Sequence, residues 1–240
     1  MSHMAQELTA LHRADLYRVL ALGFDDPRPE TVQPLVALLK DLDLPSGSDA
    51  LREPVRRLVD LLQSAGPNAV RSEYLRLFVT EVSVAPCEGN YHAGDRGTVV
   101  GDVAAFYRAF GMETPAATGP VDQLKSELAF LSWLALKEVN ARHHGLAVQA
   151  EITQAAASHF LADHIGRWVG HFAAAVKAAT SEPFYLQLVE LLVAWIKQDC
   201  VYFGISPVPL PAGLASAGGE VMACPFSETC ASETILRRES

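Results

Sequence analysis

The chain has 240 residues, half of them hydrophobic, and a formal charge of -9 at neutral pH. That is enough apolar side chain for a substantial core, and it excludes global disorder. The acidic balance, with a pI near 5.3, excludes a polyanionic partner, because nucleic acid or an anionic bilayer surface would repel the protein at long range; a cationic peptide or protein is the complementary choice.

The longest clean apolar run, Leu191 to Ile196, is far shorter than the ~20 residues a membrane helix needs. Residues 1–16 carry neither a basic start nor an apolar core, so no signal peptide is expected and a cytoplasmic location is the default. Cys87, Cys200, Cys224 and Cys230 are too few and too scattered for a disulfide scaffold and are read as reduced thiols.

Taken in order, the chain reads as helices. From Glu7 to Phe24, Leu8, Leu11, Leu16, Val19, Leu20 and Leu22 recur at spacings of three and four, the mark of one buried helical face. Asp25-Asp26-Pro27 ends that helix, and Pro29 suits the first turn of the next, which carries Val32, Leu35, Leu38 and Leu39 to about Leu42. Pro45 to Ser48 is a turn. Ser48 or Asp49 then caps a third helix with Leu51, Val55, Leu58, Val59 and Leu62 on one face.

A short helix follows Gly66-Pro67 and leads into Tyr74, Leu77 and Phe78. Between Val79 and Gly101 the helical period is lost, and Pro86, Gly89, Gly94 and Gly97 predict a long loop; loops of that length inside a compact domain usually carry function. Helix resumes at Asp102 and stops at Gly111, and Thr114 to Pro120 forms a second break.

Val121 to about Arg142 is the most apolar helix, with Leu124, Leu128, Phe130, Leu131, Trp133, Leu134 and Leu136 leaving little polar surface, so it is expected at the centre. His143-His144-Gly145 closes it. Further helices are predicted over Leu146–Leu161, Asp163–Thr180 and Pro183–Tyr202. No segment alternates with period two and no repeat appears. The expected fold is therefore all-α, a single compact multi-helix domain over residues 1–205. Residues 206–240, rich in Pro, Gly, Ala and Ser, are expected to be an extended tail, left open between wrapping the body and staying mobile.

Metal and catalytic patterns are weak. His159, His164 and His171 lack ligand spacing on one helical face. Cys224 and Cys230, with only Cys87 and Cys200 to complete a set, match no zinc or iron–sulfur pattern. There is no GxSxG, HExxH, GxxxxGK[ST] or GxGxxG. Glu81, Glu88, Asp95, Asp102, Asp122 and Glu127 stand near the two breaks; a pair of carboxylates has the chemistry for acid/base work, but helix capping and solvation are the expectation. Of the aromatic and apolar residues at the breaks, Tyr74, Phe78, Pro86, Tyr91, Phe106, Tyr107 and Phe110, most are expected to be core at helical spacing, but those in the long loop cannot all be buried by a helix partner. A groove lined by some of them with an acidic rim suits an apolar peptide carrying basic residues.

Several segments together resemble the TorD/DmsD/NarJ family of maturation chaperones for molybdenum enzymes. Tyr74-Leu-Arg-Leu77-Phe78 matches the family's aromatic-x-x-Leu-Phe motif, and Pro86-Cys-Glu88-Gly-Asn-Tyr91 resembles its Pro-Tyr-Glu-Ser-x-Tyr loop. Val103-Ala-Ala-Phe106-Tyr107 with Gly111 is similar to the helix that follows. Pro120-Val-Asp122-Gln123 stands for Pro-x-Asp-His, and Glu127-Leu128-Ala-Phe130-Leu131 for Glu-Leu-x-Phe-Met. His164 to Trp168 and Phe184 to Leu188 look like the late helices.

The resemblance spans about Ser72 to Asp199. It implies a single all-helical domain with no enzymatic activity and no resident cofactor. It further implies a system-specific chaperone that binds the twin-arginine leader or N-terminal region of an apo-molybdoenzyme of the dimethyl-sulfoxide-reductase type and assists cofactor insertion before export or assembly. The peptide-binding region it implies comprises Tyr74, Leu77, Phe78, Pro86, Glu88, Tyr91, Asp122, Gln123 and Glu127. Within it, Tyr74 to Phe78 is expected to be structural and buried, and contact with the partner is expected at Pro86 to Tyr91 and Asp122, which is suited to a bidentate bond with a leader arginine. Cys87, Gly89 and Gln123 depart from the motifs, where tyrosine, serine and histidine are usual. A monomer or homodimer is expected. The alternative from another class is a cofactor- or metal-binding redox enzyme that uses the carboxylates and tail cysteines; a third is a structural subunit retained in the finished complex.

Overall fold

A computed structural model describes residues 3–44, 48–64, 67–113 and 119–212. Among them nine α-helices and no β-strand are found: α1 His3–Gly23, α2 Pro29–Asp41, α3 Asp49–Ser64, α4 Pro67–Leu75, α5 Arg96–Ala109, α6 Leu124–His143, α7 Ala147–Asp163, α8 Ile165–Ala179 and α9 Pro183–Phe203. The all-α expectation holds. Helix ends follow local chemistry. Pro29 starts α2 behind an extended Arg28. Glu182 caps α9 by accepting from the Phe184 N–H, and Gly204, at φ 66°, closes it in the left-handed region that glycine enters without strain.

α1 lies along α6, α6 against α7, and α9 against both α3 and α8. The core they enclose is aromatic at its centre, with Trp168, Phe172, Phe160, Phe130, Tyr107, Tyr185 and Phe184 fully buried. Edge-to-face pairs such as Phe130–Phe160, with centroids 4.9 Å apart, join α6 to α7. Ser132 Oγ donates to the Ala14 carbonyl at 2.8 Å and fixes the α1–α6 register.

Two expectations change. The predicted loop Val79–Gly101 is largely ordered structure. Residues Arg76–Thr80 continue α4 as a π-helical turn, Glu88–Tyr91 form a 3₁₀ turn, and α5 begins at Arg96, not at Asp102. Asp95 caps it, accepting from the Gly97 N–H at 2.9 Å, and the turn is exposed or half-exposed through Asp102, so it has no apolar period to read.

Second, Trp133 and Leu136 of α6 are 38% and 41% exposed. α6 is central, but it keeps an apolar outer edge, where the Trp133 Nε1–H donates to the Phe110 carbonyl at 3.1 Å. The start of the tail, left open between wrapping the body and staying mobile, lies extended against α8 over residues 205–212: the Leu210 N–H donates to the Arg167 carbonyl, His171 Nε2 lies 2.7 Å from the Leu210 carbonyl, and Leu210 is buried. Cys224 and Cys230 lie outside the described residues. No described helix is long and apolar enough to cross a membrane.

Candidate functional site

The two breaks meet. Cys87 and Gln123 form an isolated antiparallel bridge, in which the Glu88 N–H donates to the Asp122 carbonyl at 2.9 Å and the Leu124 N–H to the Pro86 carbonyl at 2.8 Å. This short ladder places two different surfaces side by side.

The first is an apolar cleft lined by Phe24, Tyr74, Phe78, Pro86, Gln123, Leu124, Lys125 and Phe172. It is narrow, a cavity of ≈ 10 Å³, about the room of one water. Tyr74, Leu77 and Phe78 are buried, as expected for the structural half of the motif, and Phe78 stacks on Phe172 at 6.0 Å. Burial above all, then the nearby Asp25 and Asp26, pushes the Tyr74 hydroxyl up to about 12. Those two aspartates are held by cations of the chain itself, Asp25 by Lys125 at 2.7 Å and Asp26 by Arg71 at 2.8 Å.

The second surface is acidic and closed. Glu88, Asp122 and Glu127 are all 0% exposed, which overturns the expectation that these carboxylates cap helices or face solvent. Glu81, by contrast, is exposed, as are Asp95 and Asp102. His164 Nδ1 lies 2.9 Å from Glu88 Oε2 and His92 Nε2 lies 3.0 Å from Glu88 Oε1. The Gly89 N–H donates to Asp122 Oδ2 at 3.1 Å, and the Trp168 Nε1–H donates to Glu127 Oε2 at 3.2 Å. Tyr91, also buried, packs tilted against Trp168 with ring centroids 5.1 Å apart and donates its hydroxyl to the Ala85 carbonyl.

The acid pocket is short of positive charge. Burial first, then Glu88 and Asp122, push Glu127 well above the ordinary carboxylate range, against the pull of the Trp168 donor. The neutral form of its carboxyl is thus favoured beside Glu88. Asp122 Oδ1, Glu127 Oε1 and His164 Nε2 are buried without a hydrogen-bond partner; His164 Nε2 approaches Asp102 Oδ2 only to 3.5 Å. A buried acceptor without a partner costs free energy, and a donor supplied by a bound group would satisfy it. A guanidinium, with its planar fork of N–H groups, is the side chain that best matches carboxylate acceptors.

Of the predicted residues, Tyr74, Phe78, Pro86 and Gln123 therefore line the cleft, Leu77 lies behind it in the core, and Glu88, Tyr91, Asp122 and Glu127 belong to the pocket side. Reading the sequence missed His92, Arg96 and Trp168 as parts of the site and weighed His164 only as a metal ligand. The pairs 88/92 and 164/168 share a four-residue spacing that was available in the sequence. His159 is exposed and apart from His164, and among the described residues no group of three His, Cys, Asp or Glu side chains is arranged to hold a metal ion.

The all-α body thus sets an apolar seam beside a buried acid pocket. The family model described as nitrate reductase delta subunit matches residues 45–174, and the chain belongs to that family, which is of the NarJ/TorD chaperone type and serves molybdoenzyme maturation. The match covers the apolar cleft's motif, the acid pocket and most of α8. Comparison with curated proteins gives no match.

Proposed function

We propose that this protein is a cytoplasmic chaperone that binds the leader or N-terminal segment of an apo-molybdoenzyme of the dimethyl-sulfoxide-reductase type, keeping it competent for cofactor insertion, and that it is not itself an enzyme. The observation that carries the reading is the pairing of an apolar cleft with a pocket of three buried carboxyls across one two-stranded bridge. A twin-arginine leader has basic residues followed by an apolar body, and the two surfaces are complementary to those two parts. Opening the cleft is part of binding, since its resting volume admits no side chain.

The test is calorimetric titration with the N-terminal peptide of the cognate reductase. Micromolar binding is expected, and absence of binding at high micromolar peptide overturns the proposal. Asp122→Asn keeps an acceptor for the Gly89 N–H but removes the charge; it should weaken binding by about tenfold or more, the loss expected for one charge-assisted hydrogen bond. A peptide with its arginines replaced by glutamine should bind the wild type and the variant alike. The family's name describes a subunit; co-purification with mature enzyme, and not with its precursor, would favour a retained subunit over a chaperone.

A further inference from the structure

The acid pocket already has an arginine at its edge. Arg96, the first residue of α5, is half-exposed, and its Nη2 lies 3.7 Å from Oδ2 of the fully buried Asp122. Its aliphatic stem lies flat against Gly89: a Cβ built on Gly89 would come within 2.5 Å of Arg96 Cγ and 3.1 Å of its Cδ and Nε. The guanidinium charge also favours the ionised form of the nearby Cys87 thiol, against its burial. Yet the fit is incomplete. The approach to Asp122 is longer than a hydrogen bond, and Asp122 Oδ1 stays unpartnered. The chain's own arginine covers the pocket without satisfying it, and a guanidinium seated bidentately on Asp122 would outcompete it.

We propose that Arg96 is an intramolecular stand-in for the arginine of the client segment, lying over Asp122 in the free protein and swinging into solvent when a client arginine takes its place. The inference rests on the peptide-binding reading above and adds to it a built-in competitor whose presence depends on glycine at position 89. A competitor that occupies the site for about nine-tenths of the time weakens apparent affinity about tenfold. It also discriminates, because a segment without arginine has nothing to offer in exchange.

Two independent variants remove the cover. Arg96→Gln deletes the charge at an exposed first-turn position, and Gly89→Ala displaces the stem; no positive φ bars alanine there. In calorimetry with the arginine-bearing leader peptide, both should bind about tenfold more tightly than wild type, with no gain for the glutamine-substituted peptide. A second arm needs no client. Methylguanidinium titrated into labelled protein should shift the amide resonance of residue 89, whose N–H rests on Asp122 in the wild type, at about tenfold lower concentration in both variants than in wild type. If peptide binds wild type but neither variant binds it more tightly, the stand-in is wrong and the peptide reading survives. If no peptide binds any protein, the peptide reading falls, and the methylguanidinium arm decides the stand-in alone: equal midpoints in all three proteins overturn it.

Discussion

The protein buries two polar clusters, and they are built on opposite principles. Where α1, α6 and α9 meet, Arg13 Nε donates to Asp199 Oδ1 at 2.7 Å, its Nη1 to Glu138 Oε2 at 3.1 Å, and the Tyr17 hydroxyl to Asp199 Oδ2 at 2.6 Å. Arg142 completes Glu138 at 2.7 Å, and the Phe203 ring lies 4.4 Å from the Arg13 guanidinium carbon. Two guanidiniums thus face two carboxylates, and no carboxylate oxygen is left over. In the pocket of Glu88, Asp122 and Glu127, three carboxyls share two imidazoles and the distant edge of one guanidinium, and acceptor atoms remain unused. A closed network fixes helices; an open one has something to gain from a ligand. Burial of charge is common to both, so the completeness of pairing, not burial, sets the candidate site apart.

The largest expected effect separates them by stability. Arg13→Met leaves Asp199 and Glu138 buried without their shared cation and should cost about 3–5 kcal/mol in urea denaturation. Asp122→Asn, which removes a charge that is already poorly compensated, should change stability by less than about 1 kcal/mol. Equal losses would abolish the distinction. A smaller effect appears in pH dependence. Glu127 holds its proton in the fold to a pH well above the usual carboxylate value, so between that ordinary value and the raised one the folded state binds more protons than the unfolded. This group's contribution is fully present at acid pH and is lost as pH rises, by up to about 1.4 kcal/mol per pH unit. Glu127→Gln keeps the neutral shape and should be spared that loss, so its stability advantage over wild type should grow from pH 5 towards neutrality. A constant difference across that range would mean that Glu127 is ionised in the fold.

How much of this was legible in the sequence follows from what each signal reports. Helices whose apolar residues face one core, such as α3 with Leu51, Val55, Leu58 and Leu62, announce themselves, because periodicity records one-sided burial. The first turn of α5 is exposed or half-exposed throughout and is held by the Asp95 cap, which periodicity does not weigh. The motif residues Tyr74 to Phe78 were recognisable as core. The acid pocket was not: Glu88, Asp122 and Glu127 read as polar residues near helix breaks, and only the Cys87–Gln123 bridge, a contact between distant segments, takes them out of water. The same bridge gives sense to two departures from the family motifs. Cys87 and Gly89 both face Arg96, a relation between side chains that no single position reveals.

The smallest effect is kinetic, and it compares one thiol from each cluster. Burial first, then Asp122, pushes Cys87 up to about 12; burial first, then Asp199, pushes Cys200 up to about 11. Because the thiolate is the nucleophile, both should resist iodoacetamide at pH 8 by roughly a hundredfold or more relative to the denatured chain, measured by mass spectrometry in a Cys224→Ser/Cys230→Ser background. Asp122→Asn should then speed alkylation of Cys87 and leave Cys200 unchanged, because the neighbouring acids belong to different clusters. Alkylation of Cys87 at the rate of an ordinary free thiol would mean that water already fills the pocket, and an open, hydrated pocket would have no unpaired acceptors for a client arginine to satisfy.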